Sequence, residues 1–108
     1  MQPVETIYSK LQGVTRTNPD GSERQDVIAE LCYHEQPLLL LREPNQYSYN
    51  TIGVYVAYQV GHVNPELADI LAPLMDQGGV VRAQVTEITG GTEDKPTRGV
   101  NVSFTIYE

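Results

Sequence analysis

The segment from Arg42 to Asn50 carries the densest set of side chains that could bind a ligand. It combines a basic residue with amides, a hydroxyl and two tyrosines, Tyr47 and Tyr49. Tyrosine rings on a loop beside β-strands are groups on which nucleobases can stack. The alternative is structural, with Tyr47 packed against the domain and Asn45 and Asn50 capping turns. Residue spacing leaves both interpretations open.

Motifs that would indicate an enzyme are absent. The chain has no phosphate-binding glycine loop, dinucleotide fingerprint, nucleophile elbow or zinc-protease motif. Cys32 and His34 lie two positions apart near a predicted helix end, and such side chains do not face each other on a helix. One cysteine and two histidines are too few for a zinc finger. We therefore expect a structural Cys32, no catalytic centre, no metal and no cofactor.

The charge balance limits the possible partners. Fourteen carboxylates against seven Lys and Arg give a net charge of −7. Such a chain repels duplex DNA and anionic membranes at long range, so a nucleic-acid role must depend on a local pocket. No apolar run reaches the ~18 residues of a membrane span, and the N-terminus does not resemble a secretory signal. With a single cysteine, we expect cytoplasmic residence.

Periodicity predicts one domain over residues 1–108, with its core at about 4–107. Six strands and two helices are expected in the order β-α-β-β-β-α-β-β, with the first strand over Val4–Thr15. This arrangement is mainly β (α+β) and indicates a small, mostly antiparallel barrel whose openings are covered by the helices.

Three local patterns make sharper predictions. The run Leu38–Leu41 predicts a central strand buried on both faces. Ser22 and Gln25 match a capping box at the start of the first helix, which should end near Tyr33 or His34. Pro73 should kink or split the second helix, since its ring clashes with the preceding turn.

Over about residues 7–107 the chain resembles the HIRAN domain, including its free-standing bacterial and phage copies. The matching stretches occur in the family's order and spacing: Gly13-Val14-Thr15, Ser22-Glu23-Arg24-Gln25, Leu41-Arg42-Glu43-Pro44-Asn45, Tyr47, Asn50-Thr51-Ile52, Val60-Gly61-His62, Pro65-Glu66-Leu67-Ala68 and Leu71-Ala72-Pro73-Leu74.

The resemblance implies an OB-like barrel that binds nucleic acid. In helicase-like fork-remodelling proteins this domain captures the 3′-hydroxyl end of single-stranded DNA, by base stacking and polar contacts. Tyr47 matches the stacking tyrosine, and His62 falls on the family's histidine after Val-Gly, for which the resemblance implies a phosphate contact. Ser48 stands where the family usually has aspartate, which replaces a carboxylate acceptor by a weaker hydroxyl. The ATP-hydrolysing motor and zinc module of those proteins have no counterpart here.

Other positions depart from the family pattern. Ser9 and Lys10 stand where DNA-end binders have an arginine and an aromatic residue, and Pro65 replaces a lysine. Lys10 and Arg42 are then expected to assist electrostatically. The alternative function is a non-enzymatic protein-interaction or homo-oligomeric module that has lost DNA-end binding.

The positions of three candidate residues lead to a geometric prediction. The segment 43–50 precedes a strand at 52–58, and the chain then turns tightly and runs back to His62. An antiparallel return brings His62 towards the start of that strand, beside the loop. Tyr47, Ser48 and His62 should therefore line a single concave patch.

Overall fold

The computed structural model describes residues 1–108 and has the predicted order of elements. The first strand ends at Lys10, earlier than the predicted end at Thr15. The elements are β1 (Pro3–Lys10), α1 (Arg24–Leu31), β2 (Pro37–Arg42), β3 (Ile52–Tyr55), β4 (Gln59–His62), α2 (Pro65–Asp76), β5 (Val80–Thr89) and β6 (Gly99–Tyr107).

The six strands form one antiparallel sheet in the order β1-β6-β5-β2-β3-β4. The sheet curls into a half-barrel, because the chain that leaves β1 reaches β4 at the opposite edge. Gln12 and His62 form a bridge there, with backbone hydrogen bonds of 2.9 and 2.8 Å. The OB-like antiparallel fold is therefore confirmed, as an incompletely closed barrel.

The core lies inside this curl. Alternating side chains of β6 point inward with the period of two that the sequence shows, so Val100, Val102 and Phe104 are fully buried. The helices contribute Ile28 and Leu71 to the same cluster. Inward-facing residues of the sheet thus meet both helices in one core.

The run Leu38–Leu41 forms the central strand β2, but the predicted burial on both faces is wrong. Leu38 is buried and Leu40 half-buried, whereas Leu39 is 55% and Leu41 42% exposed. The helices pack mainly elsewhere, α1 against β4 and α2 against β5, so the outer face of β2 has no cover.

Helix α2 begins as the sequence indicates, with the Asn64 side chain accepting a hydrogen bond from the backbone N–H of Glu66. The helix continues through Pro73 to Asp76, so the predicted split does not occur. Pro73 lies near the C-terminal end on the exposed side, where a lost backbone hydrogen bond can be replaced by water. Neither α1 nor α2 has the length and apolar content of a membrane-spanning helix.

The predicted capping box at α1 is also wrong. The helix begins at Arg24 without a side-chain cap and ends at Leu31. Instead, the Gln25 amide donates hydrogen bonds to the carbonyls of Val14 and Arg98, both at 2.9 Å, and accepts one from the Arg98 N–H. Gln25 therefore links two segments that are distant in sequence. Its side chain pairs three backbone groups of these segments, the carbonyls of Val14 and Arg98 and the N–H of Arg98.

Candidate nucleic-acid interface

The largest cavity opens between β4, the start of α2 and the segments that follow β1 and β2. We call it the main cavity. It has a volume of about 700 Å³, and its lining residues are Gln12, Gly13, Arg16, Asn45, Tyr47, Ser48, Thr51, His62, Val63, Pro65 and Ala68. Its volume is within the range of about 300–1,000 Å³ that is typical of small-ligand sites.

The structure places Tyr47, Ser48 and His62 together in this lining, as the antiparallel return of β4 predicts. Tyr47 is 89% exposed, so its ring does not pack against the domain. Ser48 is also exposed, and His62 is partly buried at the floor. One free aromatic ring, one hydroxyl and one imidazole therefore border the same space.

The shape of the loop that carries Tyr47 is fixed by Asn45. Its side-chain oxygen accepts hydrogen bonds from the backbone N–H groups of Tyr47 at 2.9 Å and of Ser48 at 3.0 Å. This is a turn closed by an asparagine side chain. The Asn50 amide donates to Asp69 of α2 at 3.1 Å and attaches the loop to the helix. The amides are structural, while the ring of Tyr47 is free to bind.

On the side away from the main cavity, His62 contacts one group of its own strand β4 and groups on two other segments. Its Nδ1 lies 3.4 Å from Nη1 of Arg24. Its Nε2 lies 3.3 Å from the Gln59 amide nitrogen and 3.8 Å from Oε1 of Glu43. Burial, and then the positive charge of Arg24, lower the pKa of His62 below its ordinary value. The imidazole is therefore neutral at pH 7 in the free protein.

Arg24 is a buried cation that sequence analysis assigned only to a helix start. Its guanidinium donates to the Asn18 side chain at 2.8 Å and to the carbonyl of Gly13 at 2.9 Å. Gly13 has a φ of +69°, and a Cβ there would lie 3.1 Å from the His62 ring and 3.2 Å from the guanidinium. Glycine therefore permits the close approach of Arg24, His62 and the segment that forms the wall of the main cavity.

Glu43 is the centre of a second group of contacts. It accepts hydrogen bonds from the Tyr55 hydroxyl and, at 3.1 Å, from the Gln59 amide. Gly53 gives the carboxylate its space, because a Cβ at that position would overlap it. Burial, together with the hydrogen bond to Glu43, raises the pKa of Tyr55 to about 12. Tyr55 therefore stays protonated and acts as a donor.

The two predicted basic helpers do not line the main cavity. Arg42 forms an ion pair with Asp76, with N–O distances of 2.9 and 3.1 Å, and lies over the ring of Tyr49 at 5.1 Å. Lys10 is exposed at the end of β1. The cation in the lining is Arg16, which sequence analysis missed although it directly follows the stretch Gly13-Val14-Thr15.

An OB-like half-barrel with an exposed tyrosine beside a polar cavity defines a small binding module. The HIRAN domain family matches residues 7–107, and the chain belongs to this family. HIRAN domains bind nucleic acids and are not catalytic by themselves. The resemblance inferred from the sequence is therefore confirmed.

Two solved structures are similar to this chain. The crystal structure of the HIRAN domain of human HLTF has a TM-score of 0.68 and 21% identity, over 94% of this chain and 74% of that one. The crystal structure of a protein from Lactobacillus plantarum has a TM-score of 0.64 and 23% identity, over 97% and 95% of the two chains. At these identities the likeness shows the fold. No curated protein matches the sequence.

Proposed function

We propose that this HIRAN domain binds the 3′-hydroxyl end of single-stranded DNA in the main cavity. The observation that carries the proposal is the exposed ring of Tyr47, which a closed turn holds beside Ser48, His62 and Arg16. In this proposal the terminal base stacks on the ring of Tyr47. The Ser48 hydroxyl forms a hydrogen bond with the terminal 3′-hydroxyl of the strand, and Arg16 and His62 contact the adjoining phosphate.

The charge distribution supports binding of an end over binding of a long strand. The chain carries a net charge of −7, yet none of the residues that line the main cavity is an aspartate or glutamate. Arg16 therefore makes the cavity locally favourable for one or two phosphates. Further phosphates of a long strand would be repelled by the net negative charge of the chain.

A binding titration tests this proposal. A labelled ten-nucleotide single strand is titrated at low salt with wild type and with Tyr47→Ala, and fluorescence anisotropy is recorded. Loss of stacking should weaken binding by about 1–3 kcal/mol, or roughly 5- to 150-fold. A 3′-phosphate on the strand should weaken binding, whereas a 5′-phosphate should not.

Tyr49→Ala is the matched control. Tyr49 is 70% exposed on the same loop, but its ring lies against Arg42 outside the main cavity. Its removal should leave the affinity unchanged. Equal affinities of wild type and Tyr47→Ala, or no binding by wild type, would refute the proposal.

A second candidate function rests on the outer face of β2. Leu39 and Leu41 are exposed there, side by side on one face of a central strand. Exposed apolar side chains of this kind occur at protein interfaces, which favours an interaction or homo-oligomeric module. Sedimentation velocity of wild type and of the double variant Leu39→Ser/Leu41→Ser tests self-association: an assembly lost in the variant supports it, and a monomeric wild type contradicts it.

A further inference from the structure

The polar groups behind His62 determine where its single proton lies. Arginine can only donate hydrogen bonds, so the Nδ1 atom that faces Arg24 at 3.4 Å must act as an acceptor. The proton of the neutral ring is then on Nε2. This atom lies on the side of Glu43, whose Oε1 is 3.8 Å away.

The Gln59 amide nitrogen lies 3.3 Å from Nε2 and cannot accept that proton, because an amide nitrogen only donates hydrogen bonds. Its two amide hydrogens go to Glu43 and to the carbonyl of Gly61, both at 3.1 Å. Its oxygen lies 3.2 Å from the Tyr55 hydroxyl, whose single hydrogen is donated to Glu43. The amide therefore fixes the Glu43 carboxylate on the Nε2 side of the ring. Glu43 is the negative charge available to a protonated His62.

The charged groups around His62 together oppose protonation of its ring in the free protein. Arg24 of α1 and Arg16 of the segment after β1 disfavour a positive ring, and Glu43 after β2 favours it. β3 contributes the hydroxyl of Tyr55, which stays neutral. Helix α2 lines the main cavity with Pro65 and Ala68, which do not titrate. Burial of the ring, together with two cations against one anion, disfavours its protonation.

A phosphate in the main cavity would reverse this balance, since it adds negative charge beside the same ring. We propose that binding of a phosphate-bearing ligand is coupled to uptake of one proton at His62, with Glu43 and Gln59 as positioning residues. The proton comes from solvent and is placed on Nδ1, where it ends the 3.4 Å contact with the Arg24 guanidinium, because both groups are then donors. Arg24 keeps its bonds to Asn18 and Gly13. This inference rests on the proposed function.

The coupling predicts how affinity depends on pH. The pKa of His62 in the free protein is below its usual 6.5, and a bound anion raises it. Affinity for the strand should therefore increase as the pH falls from the pKa of His62 in the complex to its pKa in the free protein. The gain is about tenfold for each unit by which binding raises the pKa. Phosphodiesters do not titrate in this range, so the protein determines the profile.

The experiment measures affinity for the ten-nucleotide strand from about pH 8.5 to about pH 5.5 at constant ionic strength. Wild type should bind more tightly at low pH, and His62→Gln should show a flat profile. Glu43→Gln should move the increase to lower pH, because the protonated ring loses its counter-charge. Glu30→Gln on the exposed face of α1 is the control: it changes the net charge equally and should not move the increase.

A second measurement uses only the wild-type protein. The ring resonances of His62, followed by NMR against pH, should titrate at a higher pH with the strand bound than without it. A pH-independent affinity, or the same titration in both states, overturns the coupling and leaves the proposed function standing. An unchanged profile in folded Glu43→Gln overturns the role of Glu43. No binding at any pH overturns both proposals.

Discussion

Replacement of Arg24 by methionine tests the structural basis of the cavity wall. Arg24 is only 5% exposed, and its guanidinium makes hydrogen bonds of 2.8 Å to Asn18 and 2.9 Å to Gly13. Methionine keeps the apolar stem of the side chain and removes both bonds. The oxygen atoms of Asn18 and Gly13 then lose a charged donor within a largely buried region.

The expected cost follows from these two bonds. A hydrogen bond from a charged donor contributes about 1.5–3 kcal/mol, so Arg24→Met should lose at least about 3 kcal/mol of unfolding free energy. This corresponds to a roughly 150-fold change in the folding equilibrium. With a urea m-value of about 1–3 kcal/mol/M, the unfolding midpoint should fall by at least about 1 M.

The assay is urea unfolding followed by circular dichroism, with Arg82→Met as the control. Arg82 is exposed on β5 and contacts the Tyr107 ring at 5.2 Å, an interaction that is worth about 0.5–1 kcal/mol. The control should therefore lose no more than about 1 kcal/mol. Equal midpoints for the two variants would refute the claim that Arg24 anchors the wall of the main cavity.

Three further predictions concern burial and titration. Leu40→Ala should cost about 2 kcal/mol in urea unfolding, because the side chain packs partly against the core, whereas the outward-facing Leu39→Ala should cost less than about 1 kcal/mol. Burial raises the pKa of Cys32 to about 11. Iodoacetamide at pH 8 should therefore modify folded protein much more slowly than urea-unfolded protein, and equal rates would contradict this. The lowered pKa of His62 means that the unfolded state takes up its proton first as the pH falls. Stability should then decline below about pH 6.5, and thermal melts of His62→Gln should show a smaller decline.

Features whose interacting groups are close along the chain could be predicted from the amino-acid sequence. Asn18-Pro19-Asp20-Gly21 has the residue pattern of a type I turn, and the turn closes with a hydrogen bond of 2.9 Å. Asn64, which Pro65 and Glu66 follow, caps α2. The alternation of Val100, Val102 and Phe104 indicated the buried face of β6. Each of these features depends on backbone geometry over a few residues, so a short window contains all the necessary information.

The polar groups that surround the main cavity could not be predicted in this way, because they come from segments that are distant in sequence. Arg24 lies 38 positions from the histidine it contacts, and Glu43 lies 16 positions from Gln59. Arg16 lines the cavity because the segment after β1 crosses to β4, whereas Arg42 is withdrawn by its ion pair with Asp76. The sequence gives the type and charge of each side chain. The groups that a side chain contacts depend on how the sheet curls and brings distant segments together.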